Sequence, residues 1–373
     1  ENVSRLDEVR DPDAVFGLAP KDAWLRDVVS LTAAYAAAPR ALAVAAEIAE
    51  SISFTIPLGQ KRMPRTGLGA AAFGELARLC HAGRAHRRLD GPEWEERGYA
   101  AQLQRELALI RTQDLADYFL IVAEIVAWAS AQGIQNCGRG SAANSLVSYL
   151  LGFTHVDPLR HGLWFDRFLN AGRADFPDVD LDFAWDERDR VLDFVYRRHG
   201  RDHAAMLGTH VTFGVRGAVR EIAKAMGVPA AEIAPMTRAL PWAYDGSLDL
   251  ERIRSHPRTA RLPLDAEPWR TILQEAFALR DFPRHLGVHA GGMVIAPGLL
   301  TDHLPLQLAR KETEDGRVVI TQWDMNPVED AGLLKMDLLG NRGLAVIRDA
   351  TAAVELHSGL RADFERVDAE QDL

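Results

Sequence analysis

Cysteine is nearly absent: Cys80 and Cys137 are the only two in 373 residues. That excludes a disulfide framework and a zinc site of clustered thiolates, and it fits a reducing cytosol in which both thiols are expected to be buried. No run of 18 or more uncharged apolar residues occurs, and no basic, apolar, small-residue leader opens the sequence, so neither a membrane span nor export is expected. Excess positive charge is missing too. Lys and Arg number 43 against 53 Asp and Glu, a net −10 that runs opposite to the balance usual in proteins that neutralise nucleic-acid phosphates. Only a local concentration of cations overrules such a total.

What is present is ordinary in bulk, 47% apolar and 26% charged, in a chain long enough for two or three domains. It opens at Glu1 without a methionine and stops in "DFERVDAEQDL" with no evident finishing element, as a piece of a longer protein does. "RALAVAAEIAESI" has helical apolar spacing before a break at Pro57, and residues 58–70, "LGQKRMPRTGLGA", read as a linker. A helical pair is expected between 72 and 132, with Asp114 capping "DLADYFLIVAEIVAWASAQG" and Gly133 stopping it. "RDRVLDFVYRRHG" and "VRGAVREIAKAMG" are helices closed by Gly200 and Gly227, and helical patterning continues to about 282. Strand-like stretches then return in "GGMVIAP", "GRVVITQWD" and "AGLLKMDLLG". Strands, then helices, then strands imply a mixed α+β fold, a sheet domain interrupted by a helical insertion.

Three stretches carry possible chemistry. In "DFPDVDLDFAWDERD", Asp178, Asp180 and Asp182 alternate with Val179, Leu181 and Phe183, so a strand places the three acids on one face and the apolar residues on the other. Like charges in a row repel, and strands disfavour Asp, unless a cation offsets the cost. Carboxylates two residues apart lie roughly 6.5 to 7 Å from each other, a spacing able to bracket divalent ions held ~3.5 to 4 Å apart. An exposed edge strand with solvated acids is the plainer alternative.

"CGRGSAANSLVSYLLG", residues 137–152, reads as a Gly-rich turn opening a helix. Gly138 and Gly140 allow the tight turn, and Ser141 begins a segment whose Leu146, Val147, Leu150 and Leu151 sit at helical spacing. Free amides there, with Arg139 and the Ser141 hydroxyl, suit a phosphate, although Gly and Ser start many ordinary helices. The Gly-Lys-Ser/Thr end of a Walker loop is missing. In "LLKMDLLG", Asp337 is a solitary acid in an apolar run with Lys335 two residues before it on the same face, either a structural ion pair or a further metal ligand. Two or three carboxylates on one strand, one more on a distant strand and a phosphate turn are the parts that metal-assisted nucleotidyl transfer requires.

The series "ADYFLIVAEIV", "GRGSAANSLVSYLLG", "DPL", "FDRFLN", "PDVDLDF", "YRRHGRD", "GVHAGGMVIAP", "TQWD" and "LLKMDLLG" resembles, in the same order, the α subunit of bacterial DNA polymerase III, the C-family DNA polymerases, from about residue 20 onward. The resemblance implies a polymerase-β-like nucleotidyltransferase palm with a helical thumb insertion. It implies Asp180, Asp182 and Asp337 as catalytic aspartates holding two Mg²⁺ ions, with Asp178 outside that triad in a supporting role. It assigns Arg139, Gly140, Ser141 and Lys335 to the triphosphate of an incoming dNTP, and Arg167 and Arg173 to the same neighbourhood. The implied divisions are the tail of a PHP domain at 1–57, palm at 58–213, thumb at 214–286, palm again at 287–340 and the start of the fingers at 341–373.

Within the thumb stretch, Arg216, Arg220 and Lys224 recur at i, i+4 and i+8, a stripe suited to duplex phosphates or simply a solvated face. Implied partners are primer-template DNA, dNTP and, through C-terminal regions absent from this sequence, a sliding clamp, in a bacterial cytoplasm. "GRGSAANS" with "VYRRHGRDHAAM" stands nearer the error-prone branch than the replicative one. Template-directed synthesis leads. A template-independent nucleotidyltransferase, a two-metal phosphodiesterase, and a fragment that only binds primer-template remain alternatives.

Overall fold

The computed structural model describes residues 25–170, 172, 177–241 and 249–359. In chain order the helices are α1 (Val28–Ala34), α2 (Pro39–Ser51), α3 (Ala72–His86), α4 (Glu93–Glu96), α5 (Tyr99–Thr112), α6 (Ala116–Ala131), α7 (Leu146–Leu150), α8 (Arg188–His199), α9 (Val215–Ala225), α10 (Ala230–Ala239), α11 (Leu250–Ser255), α12 (Trp269–Leu279), α13 (Met325–Asp330) and α14 (Arg342–Ser358). The strands are β1 (Asn136–Arg139), β2 (Asp180–Ala184), β3 (Ala204–Thr212), β4 (Pro283–Ile295), β5 (Leu306–Thr313), β6 (Gly316–Thr321) and β7 (Lys335–Asn341). None of the described helices is long and apolar enough to cross a membrane.

Two compact units divide the chain, one from residues 57–209 and 286 onward, the other from residues up to 56 and 210–285. The first holds a seven-stranded mixed sheet in the order β1-β2-β7-β4-β3-β6-β5. The two ladders of β7 are of opposite sense: β2 runs parallel to β7, and β7 runs antiparallel to β4. Leu181, Phe183, Met336 and Leu338 on these strands are buried, and α6 adds Tyr118, Phe119, Ile121 and Ile125 to the same core. Phe119 stacks on Phe153 and meets Tyr118 and Phe168 edge-on. Such ring contacts stabilise beyond the area they bury. The second unit has its own core, in which Val219 of α9, Ile233 and Met236 of α10, Ile253 of α11 and Ile272 and Leu273 of α12 pack together.

Three segments differ from what their sequence suggests. Residues 58–70 are no slack linker. Gly59 and Arg62 donate their backbone N–H groups to the carbonyls of Asp330 and Gly332, and Arg62 forms a bridge with Leu333 beside β7. Asp114 does not cap α6. Its backbone takes a positive φ of 57° and its carboxylate is gripped by Arg65 at 2.6 Å, while Asp117 accepts from the N–H of Thr66 at 2.9 Å and from its hydroxyl. Asp114 serves instead to pin that extended segment. Of the two thiols, only Cys80 is fully buried, and burial pushes it up to about 12; Cys137 is half-buried on the edge strand β1. Truncating Phe119 to alanine is expected to cost about 3–5 kcal/mol, read as a lower denaturant midpoint with an unchanged slope; a loss below about 1 kcal/mol would show that this aromatic cluster is not the keystone of the sheet unit's core.

Candidate active site

The acids meet because of strand register. In the parallel pair, Asp180 of β2 stands opposite Asp337 of β7, on one face of the sheet, while their neighbours Leu181 and Leu338 point into the core behind. Asp178 lies two residues before Asp180. Among the described residues, the carboxylates of Asp178, Asp180 and Asp337 come within 4.8 Å of one another, a group able to hold a metal ion. The buried Lys335 ammonium reaches Asp178 at 2.7 Å and Asp337 at 3.1 Å. Burial works against the lysine's charge, but the two carboxylates outweigh it and hold its pKa above the ordinary value.

Asp182 is not in this group. On the same strand it is 6% exposed, accepts a hydrogen bond from Asn341 Nδ2 at 2.8 Å, and lies 3.4 Å from Arg139 Nε. Asn341 is held for that role, because its Oδ1 caps α14 by accepting from the Gly343 N–H at 2.8 Å. The convergent carboxylates are therefore those of Asp178, Asp180 and Asp337, and Asp182 is drawn aside.

The Gly-rich turn approaches from β1, which pairs antiparallel with β2 so that Arg139 stands opposite Asp180. Gly140 has φ +68°, and a Cβ there would lie 3.0 Å from Asp180 Oδ2, so backbone freedom and close approach both call for glycine. The chain does not enter an α-helix at Ser141. Residues 140–144 form a 3₁₀ turn, and the α-helix begins only at Leu146, with Ser145 as N-cap accepting from Ser148 N at 3.1 Å. Donors at Gly140 and Ser141 therefore belong to a tight turn beside the acids. Arg167 is exposed at the end of a second 3₁₀ turn, Phe165–Arg167. Arg173 lies outside the described residues.

In the helical unit, Arg216 folds its guanidinium onto the Leu240 carbonyl at the end of α10, and Lys224 lies 3.4 Å from Glu221, which also meets Arg284 at 3.2 Å. Arg220 is exposed between them on α9.

Residues 74–340 match the family described as the bacterial DNA polymerase III alpha NTPase domain. The chain belongs to that polymerase III alpha family. It is 35% identical to a DNA polymerase III subunit alpha of Bacillus subtilis over 358 residues, 94% of this chain and 31% of the relative. It is 38% identical to the Thermus aquaticus subunit over 277 residues, 74% of this chain and 22% of the relative. An error-prone DNA polymerase of Symbiobacterium thermophilum is 39% identical over 253 residues, 68% of this chain and 23% of the relative. The chain thus spans between about a fifth and a third of the length of these curated relatives.

In this member of the polymerase III alpha family, three features of the site were not singled out by sequence reasoning. Tyr118, fully buried, accepts from the Val179 N–H at 3.3 Å and donates to the Lys335 carbonyl at 3.4 Å, bridging the two acid-bearing strands. Arg188, also buried, donates to the Leu338 carbonyl at 2.8 Å and to the Ala290 carbonyl at 3.0 Å, tying β7 to β4 beside Asp337. Asn341 is the third, and the Asn-Arg-Gly step after an apolar run is the one signal that could have marked it as a cap.

Burial first, then the charges of Asp178 and Asp337, raise Asp180 to about 6, against the opposing influence of Lys335 and Arg139. The unfolded chain releases this proton near pH ~4. The folded state holds it longer, so this group's stabilisation is complete below pH ~4 and is lost as pH rises through about 6. Without added metal, Asp180→Asn is therefore expected to melt higher than wild type at about pH 7.5 and equally at about pH 4. Mg²⁺ is expected to raise the wild-type melting temperature at about pH 7.5 and much less at about pH 5, and equal Mg²⁺ shifts at both values would contradict the cluster's role.

Proposed function

We propose that this chain is the catalytic palm and thumb segment of a DNA-directed DNA polymerase, which transfers a nucleotidyl group from a dNTP to a primer 3′-hydroxyl. The observation that carries this reading is the juxtaposition of three convergent carboxylates with a glycine turn whose backbone lies against one of them. The donor set suits a hard divalent cation, being all oxygen, and Asp180 and Asp337 each keep a buried Oδ1 with no hydrogen-bond donor among the described residues. Asp178, Asp180 and Asp337 would hold Mg²⁺, with Asp182 available for a second ion once released from Asn341 and Arg139. When bound, the metal supplies charge neutralisation for the phosphates and a lowered pKa for the attacking hydroxyl.

The chain's own groups have separate duties. Lys335, paired with both Asp178 and Asp337, offsets part of the like charge that a cation site gathers. Ser141, the turn amides and Arg139 bind and orient the triphosphate, placing its α-phosphate against the carboxylates. Gly140, without a side chain, leaves room for that approach. The sheet unit interrupted between β3 and β4 by the helical unit supports the palm and thumb description, and a nucleotidyltransferase acting without template has no need of such an insertion. Arg220 and Lys224 supply phosphate contacts to duplex DNA, whereas Arg216 is engaged in holding the end of α10.

Primer extension tests the reading with this chain extended by the remaining sequence of the Bacillus subtilis relative. Exchange of groups around metal ligands commonly costs ~10–100-fold, so Asp337→Asn is expected to lower Mg²⁺-dependent incorporation by at least about 100-fold. Near-normal incorporation would remove Asp337 from the chemistry, and DNA binding without any incorporation by the parent protein would favour a fragment that only binds.

For the helical unit, Arg220→Ala with Lys224→Ala is expected to weaken primer-template binding alike for all sequences. The log-log salt slope is expected to fall by roughly 0.9 for each DNA phosphate that is no longer neutralised. An unchanged slope would leave the stripe a solvated face.

A further inference from the structure

Glu106 on α5 is fully buried, and nothing in the proposed chemistry uses it. Its carboxylate accepts four hydrogen bonds. Oε1 takes Gln102 Nε2 at 2.8 Å and the Leu146 N–H at 2.9 Å, and Oε2 takes the Ser145 hydroxyl at 2.7 Å and the Val147 N–H at 3.0 Å. Three of these partners are N–H groups that can only donate, so the constellation is built for an ionised carboxylate. Burial nonetheless pushes the Glu106 carboxyl above its ordinary range, against the pull of those same bonds. The fold thus keeps a buried carboxyl group at a place where apolar packing is often as stable.

The position supplies a reason. Helix α7 is only five residues long, and its first amides have no partners within the helix. Ser145 as N-cap satisfies one of them, and Glu106 satisfies two more. Ser145 is held from both sides: its hydroxyl donates to Glu106, and its N–H donates to the Ala142 carbonyl at 3.2 Å. Asn144, the preceding residue, donates from Nδ2 to the Ser141 carbonyl at 3.0 Å. A continuous set of bonds therefore runs from Glu106 through Ser145 and Asn144 into the turn at residues 140–144. The front end of that turn is fixed by the β1–β2 ladder, and its rear end is fixed by Glu106.

We propose that Glu106 is a positioning residue for the triphosphate turn, setting the Gly140 and Ser141 donors before the nucleotide arrives. The inference rests on the reading of that turn as the triphosphate site. Preset donors avoid reorganisation on binding, and a displacement of about 1 Å in such a group can cost on the order of 100-fold. A plain structural cap would affect stability and leave ligand affinities in proportion to the folded fraction.

Glu106→Gln keeps the size of the side chain but turns an amide N–H₂ toward donors. Binding of Mg²⁺·dATP and of inorganic tripolyphosphate is measured by calorimetry on this chain, alongside Mn²⁺ alone, which reports the carboxylate cluster, and thermal unfolding. The expected result is a folded variant with triphosphate affinity reduced about 10- to 100-fold and Mn²⁺ affinity within roughly twofold of wild type. Ser145→Ala is expected to act in the same direction with a smaller loss. Unchanged triphosphate affinity in folded Glu106→Gln overturns the proposal; if that variant fails to fold, unchanged affinity in Ser145→Ala overturns it. A parallel loss of Mn²⁺ and triphosphate binding also overturns it, because general loosening is then the cause. Failure of the parent chain to bind tripolyphosphate at all overturns the reading of the turn itself.

Discussion

The parallel register of β2 and β7 places Asp180 directly against Asp337, and most of the sheet unit's less ordinary features answer that like-charge contact. Hydrogen-bonded neighbours in a ladder cannot move apart without breaking it, so the repulsion has to be met by groups brought from elsewhere. Lys335 meets it directly from the same strand. Tyr118 and Arg188 meet it mechanically, the first by bridging the backbones of Val179 and Lys335, the second by holding the Leu338 and Ala290 carbonyls. Burial, together with what remains of the repulsion, raises the proton affinity of Asp180, and a divalent cation is the group that would offset both.

Asp182 and the turn belong to the same balance. Arg139 is 54% exposed on its side chain and lies 3.4 Å from the Asp182 carboxylate; under the proposed function it would serve Asp182 or an incoming phosphate. A phosphate competing for Arg139 would loosen one restraint on Asp182, which the hydrogen bond from Asn341 also holds. Glu106 is a buried carboxyl of a different kind, hydrogen-bonded at both oxygens by neighbouring protein groups.

Family membership sets these residues in a wider frame. Relatives named as DNA polymerase III alpha subunits and relatives named as error-prone polymerases match this chain at 34–39% identity, so both branches contain the region that holds this sheet. Since the chain spans at most about a third of the first of these relatives, the features that separate the branches need not lie within it.

Period-two and period-3.6 patterning in the sequence marked many of the elements, though not the strands β1, β3 and β5. The alternation from Asp178 to Phe183 and the apolar run around Asp337 announced β2 and β7, and Gly200 and Gly227 marked helix ends. The acids could be recognised as costly because a lone carboxylate among apolar residues is costly in any fold. What no local pattern could decide was partnership. Which carboxylates converge depends on the Asp180–Asp337 register and on the side chains that claim Asp182, and both that register and the Asn341 bond join residues more than 150 positions apart. The start of α7 likewise could not be read, because Ser141 and Ser145 are equally good beginnings until Glu106 arrives from another helix to satisfy the amides of Leu146 and Val147. Residues 58–70 looked like a linker for the same reason: an extended segment without periodicity is loose or fixed according to whether a distant carbonyl or carboxylate accepts its donors, and here those of Asp330, Gly332, Asp114 and Asp117 do. Sequence determines which groups need partners, since that follows from each residue's own chemistry; only tertiary structure decides which partner each one finds.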